Sequence, residues 1–168
     1  ILMNNTPFAL IVPITIASQL QSPEDYYNRY WFSSFIRFIR WISLLTALFA
    51  PSLYIAITTF HQELVPTFLL ISIVSSREGV PFPSLVEALI MELTFEVLRE
   101  AGIRLPRPFG QTISIVGAVV IGQAAVSAGL VSPVMIVIVS LTAITNYTIP
   151  SINVSNTVRL LRFPFMIL

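Results

Sequence analysis

The sequence predicts an all-α fold, a polytopic helical membrane domain with an interrupted or re-entrant helix pair and a helical hairpin. Three observations predict it. The chain is 55% hydrophobic and only 10% charged, with a mean hydropathy of +0.86, against roughly 25% charged residues in soluble domains. Long uncharged runs, 41–60 and 112–131 among them, match the ~20 residues that a helix needs to cross the ~30 Å hydrocarbon core. Proline and glycine punctuation falls between the apolar runs and also interrupts one of them. A chain of this size buries only ~70% of its unfolded surface, so a water-soluble fold would leave a large apolar remainder in solvent.

Residues 1–21 mix β-formers with Pro7 and Pro13, and Asn4-Asn5-Thr6-Pro7 signals a turn. They are expected to be a lead-in from an N-terminal soluble domain. Residues 22–168 are expected to form the helical membrane domain, as a fragment truncated at both ends. Ser22-Pro23-Glu24-Asp25 predicts a helix start, with Ser22 at the N-cap, Pro23 at N1 and two carboxylates on the positive end of the helix dipole. That helix is expected to run toward Arg37 and Arg40 along the membrane surface. Tyr26, Tyr27, Tyr30, Trp31 and Trp41 suit the headgroup layer.

Trp41 to Phe60 is the first expected crossing, with Pro51 removing one backbone hydrogen bond in mid-helix. Leu64 to Ser76 is apolar but too short to cross. It is followed by Arg77-Glu78-Gly79 and Pro81-Phe82-Pro83, then by a second helical piece from Ser84 to Ala101. The two pieces together are expected to make one interrupted crossing. Thr112–Val131 and Pro133–Ile149 predict the hairpin, joined near Ser132. A polar stretch, Ser151 to Thr157, leads to Arg159 and Arg162. Arginines 29, 37 and 40, then 99, 104 and 107, then 159 and 162 can all face the cytoplasm, provided the interrupted segment returns the chain inward.

Composition excludes several function classes. Nine Arg against eight acidic residues give a net charge of +1 and no nucleic-acid footprint. There is no Cys for thiolate chemistry. His61, the single histidine, lies in His61-Gln62-Glu63, which lacks the spacing that puts two metal ligands on one helical face. Neither an enzyme, a metal nor a cofactor is indicated.

The informative residues are acidic. At about 100° per residue, Glu92, Glu96 and Glu100 share one stripe about 80° wide, with Arg99 beside it. Carboxylates at membrane depth face a bundle interior or an aqueous path, and acidic rings favour cations. The stripe is therefore either a cation path or a set of local pairs, Glu96-Arg99 and Glu100-Arg104. Glu87 points to another side and completes Ser84-x-x-Glu87, a capping box. It is also an ion-path candidate, because broken-helix ends hold ions in membrane proteins. Ser114, Ala118, Gly122, Ala125 and Gly129 form a small-residue face for close packing or pore lining. Gln123 borders that face as a further ion-path candidate.

Several strings carry a resemblance. They are Ser22-Pro23-Glu24-Asp25-Tyr26-Tyr27, Pro51-Ser52-Leu53-Tyr54-Ile55-Ala56, Phe60-His61-Gln62-Glu63 up to Pro66, Ser76-Arg77-Glu78-Gly79-Val80-Pro81-Phe82-Pro83, Val86-Glu87-Ala88-Leu89-Ile90-Met91-Glu92 and Ile121-Gly122-Gln123-Ala124-Ala125-Val126. In order and over most of the chain, they resemble the membrane region of the A subunit of GerA-family spore germinant receptors. SpoVAF-type paralogues share them. The resemblance implies a multi-pass protein of the spore inner membrane that works with B and C subunits. It implies a homo-oligomeric, nutrient-gated channel that releases monovalent cations to start germination. A secondary transporter and a non-conducting structural subunit are the alternative readings.

Overall fold

The computed structural model describes residues 14–104, 117 and 120–168. The helices are α1 (Ile16–Gln19), α2 (Tyr30–Thr59), α3 (Thr67–Ser76), α4 (Ser84–Arg104), α5 (residues 120–127), α6 (Pro133–Tyr147) and α7 (Ile152–Ile167). Short 3-10 turns at Pro23–Tyr26 and Gln62–Leu64 flank α2, and no strand occurs among the described residues.

The expected helix start at Ser22 closes after a single 3-10 turn. The Ser22 N–H donates to Asp25 Oδ2 at 3.1 Å, Arg40 Nη1 donates to the same oxygen at 2.5 Å and to Leu20 O at 3.1 Å, and Ser33 Oγ donates to Asp25 O at 2.6 Å. Charge-assisted bonds from a neighbouring helix outweigh a dipole interaction at a helix end, so the turn folds back beside α2 instead of continuing into it.

The expected crossing lies inside α2, whose 30 residues reach ~45 Å. Among the described residues α2 is the one helix long and apolar enough to cross a membrane, while α3 and α6 are shorter apolar helices. Its buried face includes Ser43, Ala47, Pro51, Tyr54, Ile55 and Thr58. Steps of three and four keep these on one side, and the small residues Ser43, Ala47 and Pro51 let neighbours approach closely. Large apolar side chains such as Trp31, Phe35, Phe38, Leu45 and Leu53 face outward.

After α2, residues 77–83 separate α3 from α4. Gly79 at φ 97° supplies a conformation that other residues rarely adopt, and Pro81 and Pro83 keep the chain out of a helix until Ser84. The hairpin joint is a Schellman turn. Leu130 N–H donates to Ala125 O at 3.0 Å and Gly129 N–H to Val126 O at 2.9 Å, with Gly129 at φ 65°. α6 then starts with Ser132 as N-cap, its Oγ accepting from Met135 N at 3.3 Å, and Pro133 in the first turn. The earlier part of the expected 112–131 helix lies largely outside the described residues.

The stretch from Ser151 was expected to be a polar run leading to Arg159 and Arg162, with both arginines able to face the cytoplasm. It is helical throughout as α7, and its arginines point into the fold.

Two buried clusters set the helix directions. Tyr54, Ile55, Ala88, Met91, Val131, Met135, Val139 and Met166 form one, and Leu20, Ala47, Ile149 and Val158 form the other. Along α2, Ala47 thus meets the end of α6 and the first half of α7, while Tyr54 and Ile55 meet the start of α6 and the end of α7. So α7 runs alongside α2 in the same sense, and α6 runs the opposite way. Glu87 contacts Ser132 and Glu92 contacts Thr142, which sets α4 in the same sense as α6.

Candidate functional site

The site begins with a backbone defect in α2. Pro51 has no N–H, so the carbonyl of Ala47, its i−4 acceptor, is left without a helical partner. Arg162 from α7 donates Nε–H to that oxygen at 2.8 Å. The same guanidinium donates Nη1–H to Glu92 Oε2 at 2.6 Å, and both side chains are about 95% buried, at 6% and 5% exposure. The Thr142 hydroxyl lies 3.2 Å from Glu92 Oε1 and 2.7 Å from Val139 O, so its single proton is shared between them. Arg162 thereby ties α7 to α2 and α4, and Glu92 adds α6 through Thr142. A buried pair of this kind gives little net stability over apolar packing, but removing one partner strands a charge at a cost of about 3–5 kcal/mol.

One turn along α4, Glu96 Oε1 accepts from Arg159 Nη1 at 2.5 Å, with side-chain exposures of 43% and 19%. Arg159 also contacts Asn156 Oδ1. The expected Glu96-Arg99 pair is not formed. Arg99 lies over the Tyr147 ring at 4.9 Å, where cation–π attraction holds it, and α7 supplies the cation for Glu96 instead. Glu100 and Arg104 pair at 2.7 Å as the i,i+4 spacing predicts, both well exposed. Burial therefore grades the stripe from Glu92, sealed inside, through Glu96 to Glu100 in the open.

Glu87 is fully buried, and Oε1 accepts from the Ser132 N–H at 2.5 Å. Oε2 stands 3.6 Å from Arg77 Nη2. This overturns the capping box. The Glu87 amide bonds to Pro83 O at 3.1 Å, and Ser84 Oγ has no partner among the described residues. The carboxylate reaches the start of α6 because an amide at the positive end of a second helix offers a charge-assisted bond that its own helix start does not better.

The small-residue face divides. A Cβ at Gly122 would make ordinary contact with Ile136 at 3.7 Å, and Ala125 packs against the larger cluster, so both stand against neighbouring side chains. Gly129 departs from the expected face, since α5 ends before it and its positive φ makes it the turn residue. Ser114 and Ala118 lie outside the described residues. Gln123 is exposed and is not brought to the carboxylates; its carbonyl accepts from Ser127 Oγ at 2.8 Å. Among the described residues no group of His, Cys, Asp and Glu is disposed to hold a metal.

Sequence reasoning missed Arg77, Thr142, Arg159 and Arg162 as partners of the acids. One signal was available: Arg159 and Arg162 are a turn apart among Leu160, Leu161 and Phe163. An arginine in that setting needs an opposite charge or a free carbonyl, and the chain contains both.

The family model described as Bacillus/Clostridium GerA spore germination protein matches residues 1–168. The chain belongs to the GerA family. It is 54% identical over 168 residues to "Uncharacterized membrane protein YfkQ" of Bacillus subtilis, covering 100% of this chain and 33% of that protein. It is 53% identical to "Spore germination protein KA" of Bacillus subtilis, over 99% of this chain and 31% of that one. It is 50% identical to "Spore germination protein A1" of the same organism, over 97% and 34% respectively. This GerA-family chain spans about a third of the length of the curated relatives it matches. No solved structure matches it.

Proposed function

We propose that the chain is part of the membrane region of an A-type germinant receptor subunit, and that it contributes to an oligomeric, nutrient-gated channel for monovalent cations. The supporting observation is that Glu87, Glu92 and Glu96 of α4 each meet a neighbouring helix, Glu92 and Glu96 on one side and Glu87 on another. Family membership supports the germination role. In this reading α2, the 112–131 run and α6 cross the spore inner membrane, α3 and α4 make the interrupted crossing, and B and C subunits complete the receptor. Gln123 and the small residues Ser114, Ala118, Gly122 and Ala125 line or brace the path.

The arrangement in hand is the closed one on this reading. Arg162 neutralises Glu92, Arg159 neutralises Glu96, and Glu87 lies between the start of α6 and Arg77, so each of these three carboxylates already has a positive or donor group against it. Opening requires α7 to carry its arginines off α4.

The test is cation flux through the full-length protein in liposomes. Channel-like flux that falls on Glu92→Gln or Glu96→Gln supports the reading. Saturable, coupled flux replaces it with a transporter, and no flux with partners present replaces it with a structural subunit. Cysteine scanning of 84–131 adds the geometry: label should reach position 96 before 92, and uniform protection of both would return the acids to purely structural pairing.

A further inference from the structure

An apolar groove runs along the second half of α2. Its volume is about 690 Å³, within the ~300–1,000 Å³ of sites that hold small molecules. Phe49, Ser52, Leu53, Ala56, Thr59 and Phe60 line it in steps of three and four, so one stripe of α2 forms its length. Leu85 of α4 and the end of α7 complete the wall. The Phe49 and Phe165 rings, 5.3 Å apart, close one end. Both hydroxyls on the stripe donate to their own helix, Ser52 Oγ to Phe49 O at 2.9 Å and Thr59 Oγ1 to Ile55 O at 2.5 Å, which keeps the wall apolar. Phe49 and Leu53 are exposed, so the groove opens sideways.

The other end is polar. Thr59, Phe60 and His61 also line a second cavity of about 480 Å³, whose remaining wall is Gln62, Glu63 and Leu64. Gln62 Nε2 donates to Thr58 O at 2.9 Å, which leaves Oε1 as an acceptor. Glu63 pairs with no cation among the described residues. No arginine lines this mouth, and Arg29, Arg37 and Arg40 stand at the far end of α2. The Phe60 and His61 N–H groups both go to Ala56 O, at 2.9 and 3.0 Å, so the Ile57 carbonyl misses its i+4 donor and the helix ends on its negative pole.

We infer that groove and mouth bind one phospholipid with a primary-amine headgroup, its acyl chain along α2 and its amine at Glu63. Length selects the apolar part. From Phe49 to Thr59 the helix rises ~15 Å, the depth of one leaflet in a hydrocarbon core of ~30 Å. Charge selects the headgroup. A primary ammonium donates to the Glu63 carboxylate and Gln62 Oε1 at the negative helix end, while its phosphate accepts from the His61 N–H. An anionic headgroup without an amine meets repulsion from Glu63, and a quaternary ammonium has no N–H to donate. The inference rests on reading α2 as a membrane crossing, which puts residues 59–64 at the headgroup level. A lipid seated there touches α2, the first turn of α4 and the end of α7 at once, so membrane composition bears on the helices that carry Glu87 and Arg162.

The test is lipid retention by the full-length protein, read by native mass spectrometry after extraction from vesicles of equal phosphatidylethanolamine, phosphatidylcholine and phosphatidylglycerol. One phosphatidylethanolamine should stay bound, in about five-fold excess over either competitor. Glu63→Gln should erase that preference, and Ala56→Phe, which fills the groove, should lose the lipid. Equal retention of the three headgroups, or retention unmoved by both substitutions, overturns the inference, as does a protein segment occupying the groove in an electron-microscopy map. Asn28→Cys and Leu64→Cys, labelled from one side of sealed vesicles, test the crossing separately. Label reaching both positions from that side ends the membrane reading of α2 and the inference with it. Label confined to one position, without retained phosphatidylethanolamine, ends the lipid inference alone.

Discussion

The Nε–H of Arg162 donates to the carbonyl of Ala47, the acceptor that Pro51 leaves without a helical partner. A helix defect and a charged side chain, each costly alone in an apolar surrounding, thus satisfy one another. Arg162→Lys keeps the charge but loses the planar fork that reaches Ala47 and Glu92 together, and should cost about 1–3 kcal/mol. In a Pro51→Ala background the amide restored at position 51 takes over the Ala47 carbonyl, so the cost of Arg162→Lys should fall by about 1 kcal/mol. A double-mutant cycle on the denaturation of the full-length protein measures this. Equal costs in the two backgrounds would show that the carbonyl contact carries no energy.

Glu87 predicts a difference between two substitutions. Glu87→Gln retains an acceptor for the Ser132 N–H and loses only the charge, whereas Glu87→Ala leaves that buried amide bare. The alanine variant should be the less stable of the two by about 1–3 kcal/mol. Matching Tm values for the pair would rule out the Ser132 bond as the role of this side chain.

Asp25 gives a pH dependence outside the helix that crosses. The hydrogen bond from Arg40 foremost, with Ser22 and Arg37 adding to it against the opposing effect of burial, holds its carboxyl below the usual 3.8. A carboxyl depressed in the folded state contributes stability that is fully present above its unfolded value and is lost as pH falls through its folded value. The joint between the Pro23–Tyr26 turn and α2 should therefore be intact at neutral pH and loosen only below about pH 4. Trp31 and Trp41 flank the joint, and their emission should show that transition on acidification. In Asp25→Asn the transition should vanish, and tryptic cleavage after Arg29 should quicken at neutral pH.

Gly129→Ala tests the hairpin. Its φ of 65° costs a residue with a Cβ about 1–2 kcal/mol, while the space there is open enough for ordinary contact with Gly79 O at 3.7 Å. The loss should be of that size, readable as a lowered denaturation midpoint. A neutral result would mean that the turn readily adopts another conformation.

Much of the architecture was legible locally. Apolar run lengths mark α2 and α6, Pro81 and Pro83 before Ser84 mark the start of α4, and the residues around Gly129 and Ser132 mark a turn, because caps, breakers and periodicity act within a few residues. The helical period also put Glu92 and Glu96 on one side of α4. The Ser22 start holds for one turn, with Asp25 Oδ2 accepting from the Ser22 N–H as well as from Arg40, but the helix does not continue toward Arg37. The Ser84-Glu87 box failed because the Glu87 carboxylate is taken by the Ser132 amide of another helix.

The amino-acid sequence by itself determined a helical chain of membrane-type composition, the places where its helices break, and an acidic face needing partners. Only the tertiary structure decided what those partners are: Arg162 for Glu92 across 70 residues, Arg159 for Glu96 across 63, and Ser132 for Glu87 across 45. Periodicity fixes which way a side chain points around its own helix. Which helix stands there follows from packing small faces such as Ser43, Ala47 and Pro51 against α6 and α7, a choice made by the whole bundle at once.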